Sequence, residues 1–223
     1  MPFQETSLQF LKTLQKNNNR DWFTANKPSF VKIQKEVKEV FLEIQSDLEK
    51  HDEIEKMKIY RIYRDVRFSN DKTPYNPRLA ASYTRLGKAL RGGYFLQIKP
   101  GETMLAGGFW QPEKDDLLRI RKEIAQDASE FREILNDKNF KKYFGGVFKG
   151  DELKSAPRGF DKDHKDIDLL RKKGFIAIRS FTDAEVLAPN FLKEIADSYK
   201  ALRPFFNLFS DVLTTNLNGE SIL

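Results

Sequence analysis

The spacing of hydrophobic positions predicts two helices at the start of the chain. Leu8, Leu11 and Leu14 recur at helical spacing until three asparagines, at positions 17–19, end the pattern. Proline suits the first turn of a helix, so a second, longer helix is predicted to begin at Pro28. One side of this helix carries an apolar stripe, and lysines and glutamates fill the other side. The stripe consists of Phe30, Ile33, Val37, Phe41, Ile44 and Leu48.

Strand patterns dominate the middle of the chain. Four short runs are rich in aromatic or β-branched side chains and are separated by Pro, Gly and Asn. They are residues 59–67, 79–85, 94–99 and 103–110. Pro100 and Gly101 predict a turn that joins the last two runs in a hairpin.

The second half of the chain returns to helical patterns. Helices are predicted after residue 113, followed by one more strand at 175–181 and a terminal helix pair divided near Pro204. The whole pattern predicts an α+β fold with a mainly antiparallel sheet packed with N- and C-terminal helices. Because no linker, repeat or low-complexity segment interrupts the pattern, residues 1–223 are expected to form a single domain.

Composition narrows the class of protein. Hydrophobic residues make up 39% of the chain and include 19 Phe, which is enough apolar material for a folded core. The absence of cysteine excludes disulfides, thiolate metal sites and a cysteine nucleophile. The N-terminal sequence has neither the basic cap of a signal peptide nor an apolar run long enough for a membrane span. A cytoplasmic location without a membrane partner is therefore expected.

Positive charge gathers in one segment. The chain carries a net charge of +6, and the stretch KIYRIYRDVRFSNDKTPYNPR, residues 58–78, is rich in Arg and Tyr. Read as a strand, this stretch puts Arg61 and Arg67 on one face and Arg64 on the other, among Tyr60 and Ile62. An arginine among apolar neighbours needs a partner, because an uncompensated buried charge costs several kcal/mol.

Two interpretations of these arginines remain open. They form structural ion pairs with Asp65, Asp71 or another carboxylate, or they converge on a bound phosphate or carboxylate. The second interpretation gives a ligand-binding set from this segment. The set comprises Arg61, Arg64, Arg67, Lys72 and Tyr75, with Arg78 close by. Pro74 and Pro77 stiffen the loop that presents these side chains, which lowers the cost of ordering it on a ligand.

Two pairs of glycines are predicted to meet across the hairpin. Pairing about Pro100-Gly101 sets Gly93 opposite Gly108 and the residue after Gly93 opposite Gly107. Glycine inside a strand weakens it, so facing glycines indicate a close approach to the backbone or a bend of the sheet. The approaching group is either a ligand or a packed helix.

The loop at 156–168 is the other candidate for chemistry. It contains Arg158, four aspartates and His164, but Lys165 replaces an oxygen ligand of an EF-hand and the turn glycine is absent, so no metal site is predicted. His164 is the candidate general acid or base, and Arg158 is a candidate addition to the anion site. The alternative is that both residues only shape the loop. No motif implies a cofactor.

Four blocks of sequence resemble a known family. They are NNNRDWFTANKPSF, RIYRDVRFSNDKTPY, GGYFLQIKPGETMLAGGFW and APRGFDKDHKDIDLL. In this order they are similar to the signature blocks of the bacterial and fungal family called domain of unknown function 2461, over residues 9–206. The resemblance implies a single α+β domain of this size and assigns no activity, substrate or catalytic residue. Where the family usually has lysine or a short aliphatic residue, this chain has Asn76-Pro77-Arg78, so the resemblance gives Arg78 no role.

Three functions follow as hypotheses. The first is a pocket for a small phosphate- or carboxylate-bearing ligand, with or without catalysis. The second is nucleic-acid binding by the basic segment, with tyrosines as stacking surfaces. These tyrosines are Tyr60, Tyr63, Tyr75 and Tyr83. The third is a structural or protein-interaction module. The sequence predicts neither an oligomeric state nor whether the protein is an enzyme.

Overall fold

The computed structural model describes residues 3–216 and 219–223 and contains one antiparallel sheet with helices on one of its faces. The strands are β1 (Ile54–Ile59), β2 (Leu79–Arg85), β3 (Gly93–Ile98), β4 (Thr103–Phe109) and β5 (Phe175–Phe181). The helices are α1 (Glu5–Lys16), α2 (Arg20–Leu48), α3 (Lys114–Gln126), α4 (Ser129–Asn136), α5 (Lys138–Phe144), α6 (Ile167–Leu170), α7 (Asp183–Leu187), α8 (Phe191–Ala201) and α9 (Arg203–Thr214). The α+β fold class predicted from sequence is confirmed.

The sheet follows chain order, with neighbours β1-β2-β3-β4-β5 all antiparallel. The strands at 79–85 and 175–181 are confirmed at both ends, and the hairpin register places Gly93 opposite Gly108 as predicted. Side chains that alternate along a strand point to opposite faces. One face is covered by α2, α8 and α9: the Tyr83 hydroxyl donates to the Phe41 carbonyl, 3.0 Å away, and Leu202 packs on Gly107.

The predicted strand at 59–67 is wrong. β1 ends at Ile59, and residues 60–78 form an irregular loop closed by a single bridge between Tyr63 and Tyr75. Prolines explain the difference, because Pro74 and Pro77 have no N–H to donate to a continued ladder. Only isolated bonds remain, such as Arg64 N–H to the Pro74 carbonyl at 2.9 Å.

The long helix begins earlier than predicted. α2 starts at Arg20, because the Asn19 side chain accepts a hydrogen bond from the Trp22 N–H at 2.9 Å and caps the helix there. Pro28 therefore lies inside the helix and does not begin it. The predicted apolar stripe is confirmed, since all six of its residues are buried. Pro204 lies in the first turn of α9, directly after the predicted division of the terminal pair.

Candidate functional site

The face of the sheet opposite the helices is uncovered and holds a cavity of about 400 Å³. Its floor is made by alternate residues of β2 to β5, the set whose neighbours point into the covered core. The open-face positions are Ala80, Ser82, Thr84, Gly93, Phe95, Gln97, Met104, Ala106, Gly108, Ile176, Ile178 and Ser180, and all of them except Ala80, Thr84, Gln97 and Ser180 line the cavity. None of them is acidic. Tyr60, Arg78 and the exposed Trp110 complete the wall of the cavity.

Arg78 is the charged residue of this cavity. Its Nη1 donates to the Gln97 Oε1 at 2.6 Å, and Gln97 is fixed in turn because its Nε2 donates to the Glu102 carbonyl at 3.1 Å. Within residues 3–216 and 219–223, Arg78 has no carboxylate partner. A guanidinium has five N–H donors, so a single hydrogen bond to a neutral amide leaves most of them unused.

The glycines divide between the two faces. A Cβ on Gly107 would lie 2.3 Å from Leu202 Cδ1, so helix packing requires this glycine. Gly108 faces the cavity with φ +136°, and a Cβ there would lie 2.2 Å from the Phe175 carbonyl oxygen. Gly93 also lines the cavity, where it leaves the backbone of β3 uncovered by a side chain. Packing of Leu202 explains why position 107 is glycine, and the close approach of the β5 backbone explains why position 108 is glycine.

The arginines of the predicted anion site have mixed environments. Arg64 pairs with Asp71 and also donates to Thr73. Arg67 pairs with Asp65, with Nη2 to Oδ2 at 2.6 Å, and this pair is exposed. Both interactions correspond to the ion-pair interpretation. By contrast, Arg61 is exposed and makes no hydrogen bond or ion pair within the described chain.

The other two residues of that predicted site hold the loop in place. Lys72 donates from Nζ to the Val66 carbonyl at 3.0 Å. Tyr75 is only 5% exposed, and its ring stacks on Phe23 with centroids 4.1 Å apart. The Asn18 side chain forms two hydrogen bonds with the backbone of Tyr75: it accepts from the Tyr75 N–H and donates to the Tyr75 carbonyl. Burial raises the pKa of the Tyr75 hydroxyl above its ordinary value.

His164 and Arg158 have separate surroundings. His164 Nδ1 accepts from the Asp166 N–H at 3.0 Å, so its Nε2 is the nitrogen that donates to the Ala125 carbonyl at 3.2 Å. The Nδ1 bond thus lies within the 156–168 loop, and the Nε2 bond connects this loop to the end of α3. Arg158 is exposed, with no hydrogen bond or ion pair in the part of the chain that the structure describes. No contact of either residue includes the 60–78 loop.

Two of the four aspartates of the same loop, Asp166 and Asp168, pair with one arginine. Arg132 donates to Asp166 at 2.9 Å and, from two nitrogens, to Asp168 at 2.6 and 2.9 Å. Hydrogen bonds to Asp168, opposed by partial burial, raise the pKa of Arg132. Within the described residues, no group of three or more potential metal ligands is present. Arg132 thus connects α4 to the start of α6 through these two carboxylates.

The covered face holds a buried ionic cluster that was not predicted from the sequence. Asp52 Oδ2 accepts from Arg85 Nε at 2.8 Å and from the Tyr94 hydroxyl at 2.5 Å, and Arg203 Nη1 lies 2.5 Å from the same oxygen. The sequence does contain a signal for this cluster, because strand alternation puts Arg85 on the same face as Ala81 and Tyr83, two residues typical of a core. A buried arginine at such a position requires a carboxylate partner elsewhere in the chain.

A second cavity, of about 420 Å³, lies beside α5 and α8. It is lined by Asp137, Tyr143, Asp197 and Lys200 among others. Two of its polar groups already have partners: Asp197 pairs with Lys193 at 2.6 Å, and the Tyr143 hydroxyl accepts from Lys142 at 3.0 Å. The open-face cavity is the stronger candidate site, because its apolar lining contains a guanidinium that is held by a neutral amide and not by a carboxylate.

Fold and site together define an α+β protein with a one-sided antiparallel sheet and an arginine-containing cavity on the uncovered side. Comparison with protein families gives the affiliation: the sequence model of the conserved hypothetical proteins DUF2461 matches residues 6–208. The chain belongs to this family, as its four sequence blocks indicated. Comparison with curated proteins and with solved structures found no match. Within the described residues, no helix is long and apolar enough to cross a membrane.

Proposed function

We propose that the protein binds a small organic acid with an apolar body in the open-face cavity, and that Arg78 receives its anionic group. The carrying observation is the Arg78 guanidinium, which stands in the wall of an apolar cavity with only Gln97 as partner. Arginine presents a planar fork of donors that fits a carboxylate in two parallel hydrogen bonds. Gln97 occupies Nη1, and the remaining donors are left for a ligand.

The walls of the cavity favour an apolar ligand body. Tyr60 meets Phe95 edge to face with centroids 5.9 Å apart, and Met104, Ile178 and Trp110 continue the apolar lining. The cavity volume of about 400 Å³ lies in the range of small-molecule sites, which are mostly apolar with few polar groups. A single cation in such a lining suits one carboxylate better than a polyphosphate.

The electrostatic field around the cavity also favours an anion. The open-face positions of β2 to β5 contain no acid, and β1 adds Lys56 and Lys58, which pair in register with Thr84 and Ser82 on that face. The proposed function remains anion binding, as expected from the sequence, but we assign it to Arg78. Arg64 and Arg67 are less suitable, because their carboxylate partners already satisfy much of their charge.

The lining residues include no histidine and no carboxylate among those described, so binding is proposed and not catalysis. General acid–base chemistry would require such a group within hydrogen-bond reach of a ligand. His164, the candidate from sequence, contacts α3 and is not part of the cavity. The cytoplasmic location expected from the cysteine-free composition stays a prediction.

Isothermal titration with benzoate, phenylacetate and 3-phenylpropionate, each beside its uncharged amide, tests this function. We expect at least one acid to bind and its amide to bind much more weakly, because the amide lacks the charge that Arg78 recognises. Arg78→Gln should weaken binding of the acid by about tenfold or more, as expected for a hydrogen bond to a charged group.

Arg61→Gln is the matched control, because it removes one arginine charge from the same loop outside the cavity. We expect this variant to bind the acid as the parent does. Absence of binding by all three acids, equal binding of acid and amide, or equal weakening by the two variants would each contradict the proposal.

A further inference from the structure

We infer that residues 56–78, called here the basic segment, form a binding surface for single-stranded nucleic acid. Charge is the first observation. The segment contains seven Lys and Arg residues and only two acids, Asp65 and Asp71, so it carries +5 of the net +6 of the chain. Such a local concentration attracts a phosphate backbone through release of its counterions.

The second observation is that exposed aromatic rings alternate with these cations. Phe68 is 96% exposed and Tyr63 is 51% exposed, and Tyr60 also reaches the surface. Lys58 Nζ lies 5.2 Å from the centre of the Tyr60 ring, and Arg67 Cζ, whose guanidinium also pairs with Asp65, lies 5.9 Å from that of Phe68. Proteins that bind single strands combine aromatic rings on which bases stack with positive charge that follows the phosphate backbone.

The other two tyrosines named from the sequence take a different role. Tyr75 and Tyr83 are both buried, and the Tyr83 hydroxyl donates to the Phe41 carbonyl, so neither offers a ring to a base. The stacking set on the surface is therefore Tyr60, Tyr63 and Phe68. Phe68 is the member that no intramolecular packing accounts for.

The third observation is that the basic segment is held in shape from within. Arg64 connects Asp71, Thr73 and Ser69 across the loop, and Asn18 clasps the backbone of Tyr75. These contacts fix the loop before any partner arrives, so little ordering entropy opposes binding. They also pair Asp71 internally, which reduces its repulsion of phosphate.

The form of the surface favours a single strand over other polyanions. The major groove of a duplex admits a helix or a two-stranded ribbon, and residues 60–78 form neither. Binding in the plane of a membrane typically uses an amphipathic helix, whereas here the rings are distributed along an irregular loop. Unstacked bases can instead reach each ring in turn.

Fluorescence anisotropy with labelled short oligo(dT) and oligo(U) tests this inference, with a duplex of the same length and phosphatidylserine vesicles as alternatives. We expect the single strands to bind best and their affinity to fall steeply with salt. Phe68→Ala should weaken binding by roughly five-fold or more through loss of base stacking. Phe68→Trp should retain it, because a ring is restored.

Matched controls separate the basic segment from the rest of the surface. Val31→Ala shortens an exposed apolar residue of α2, and Lys162→Gln removes an exposed charge from the other loop. We expect neither to alter affinity, whereas Arg61→Gln should lower both affinity and its salt dependence. Circular dichroism of the Phe68 variants checks that they fold.

Three results would overturn the inference: no binding of single strands at low salt, tighter binding of duplex or vesicles than of single strands, or no effect of Phe68→Ala.

A failure of the nucleic-acid inference is distinguishable from a failure of the organic-acid proposal, because Phe68 is not part of the cavity lining. Phe68→Ala should leave binding of the small acids unchanged.

Discussion

On the covered face of the sheet, Arg85 lies with a side chain 0% exposed and meets the carboxylate of Asp52, which is itself 1% exposed. Arg78, the residue just before the other end of this strand, reaches the open face and meets only the neutral amide of Gln97. Fully removing a guanidinium from water requires a compensating carboxylate, whereas a half-buried one retains hydration. The partner of an arginine therefore distinguishes a group that maintains the fold from one available to a ligand.

Asp52 interacts with two arginines and a tyrosine at the same carboxylate oxygen. Burial alone would raise the pKa of Asp52, but hydrogen bonds from Tyr94 and Arg85, with the charges of Arg85 and Arg203, lower it below its ordinary value. Arg85 also donates from Nη1 to the Arg91 carbonyl at 2.6 Å, while its Nη2 is buried and has no hydrogen-bond partner among the described residues. One carboxylate thus balances two guanidiniums.

The largest expected effect comes from removing that carboxylate. Asp52→Asn leaves Arg85 and Arg203 without a counter-charge and should lower the free energy of unfolding by about 3–5 kcal/mol. The midpoint of urea unfolding measures it. Asp65→Asn is the control, because it breaks the exposed pair with Arg67 and should cause no measurable change. Equal stability of Asp52→Asn and the parent would contradict the contrast between the two faces.

The next effect is expected from a methyl group on Gly107. Gly107→Ala places its Cβ against Leu202 and Phe206, both fully buried, and should cost about 1–3 kcal/mol by overpacking. Ala106→Val adds two methyl groups at the adjacent open-face position and should change stability by about 0.5 kcal/mol or less. Thermal unfolding of both variants measures the difference. If Ala106→Val is as destabilising as Gly107→Ala, the open face is not free of packing constraints.

The smallest and most gradual effect is a loss of stability with falling pH. Burial, together with the charges of Arg203 and Lys200 and despite that of Asp52, lowers the pKa of His51 below its ordinary 6.5. The unfolded chain therefore takes up a proton below about pH 6.5 before the folded chain does, and stability decreases. Asp52, with its lowered pKa, contributes stability that is lost only in more acidic solution, as pH falls through its folded pKa.

Urea unfolding at several pH values measures this dependence. His51→Gln should remove the loss of stability just below pH 6.5, and Asp52→Asn should remove the loss in more acidic solution. If both variants keep the pH dependence of the parent, other groups cause it.

The sequence predicts most of the sheet because hairpin register follows from local signals. Pro100-Gly101 fixes the turn, and pairing about it places Gly93 opposite Gly108, as the structure has it. The helix stripe from Phe30 to Leu48 is equally local in origin. The strand expected at 59–67 failed because periodicity shows which side chains alternate, but not whether a partner strand has the N–H groups to pair with them.

The candidate site was harder to predict, since its decisive contacts join distant positions. Gln97 lies 19 residues beyond Arg78, and Asp52 lies 33 residues before Arg85. Neither pairing follows from spacing on one element. The sequence did locate the excess of positive charge, but only the three-dimensional structure shows that Arg64 has a carboxylate partner and Arg78 does not.

The order of the strands has a consequence for how the chain assembles. β2, β3 and β4 are joined by short turns, so their contacts close early and at little loss of chain entropy. β5 must wait until residues 110–174, which include α3 to α6, have folded back to bring it beside β4. We therefore expect the central hairpins to form before β5 docks, so that the floor of the cavity near Ile176 and Ile178 is completed last.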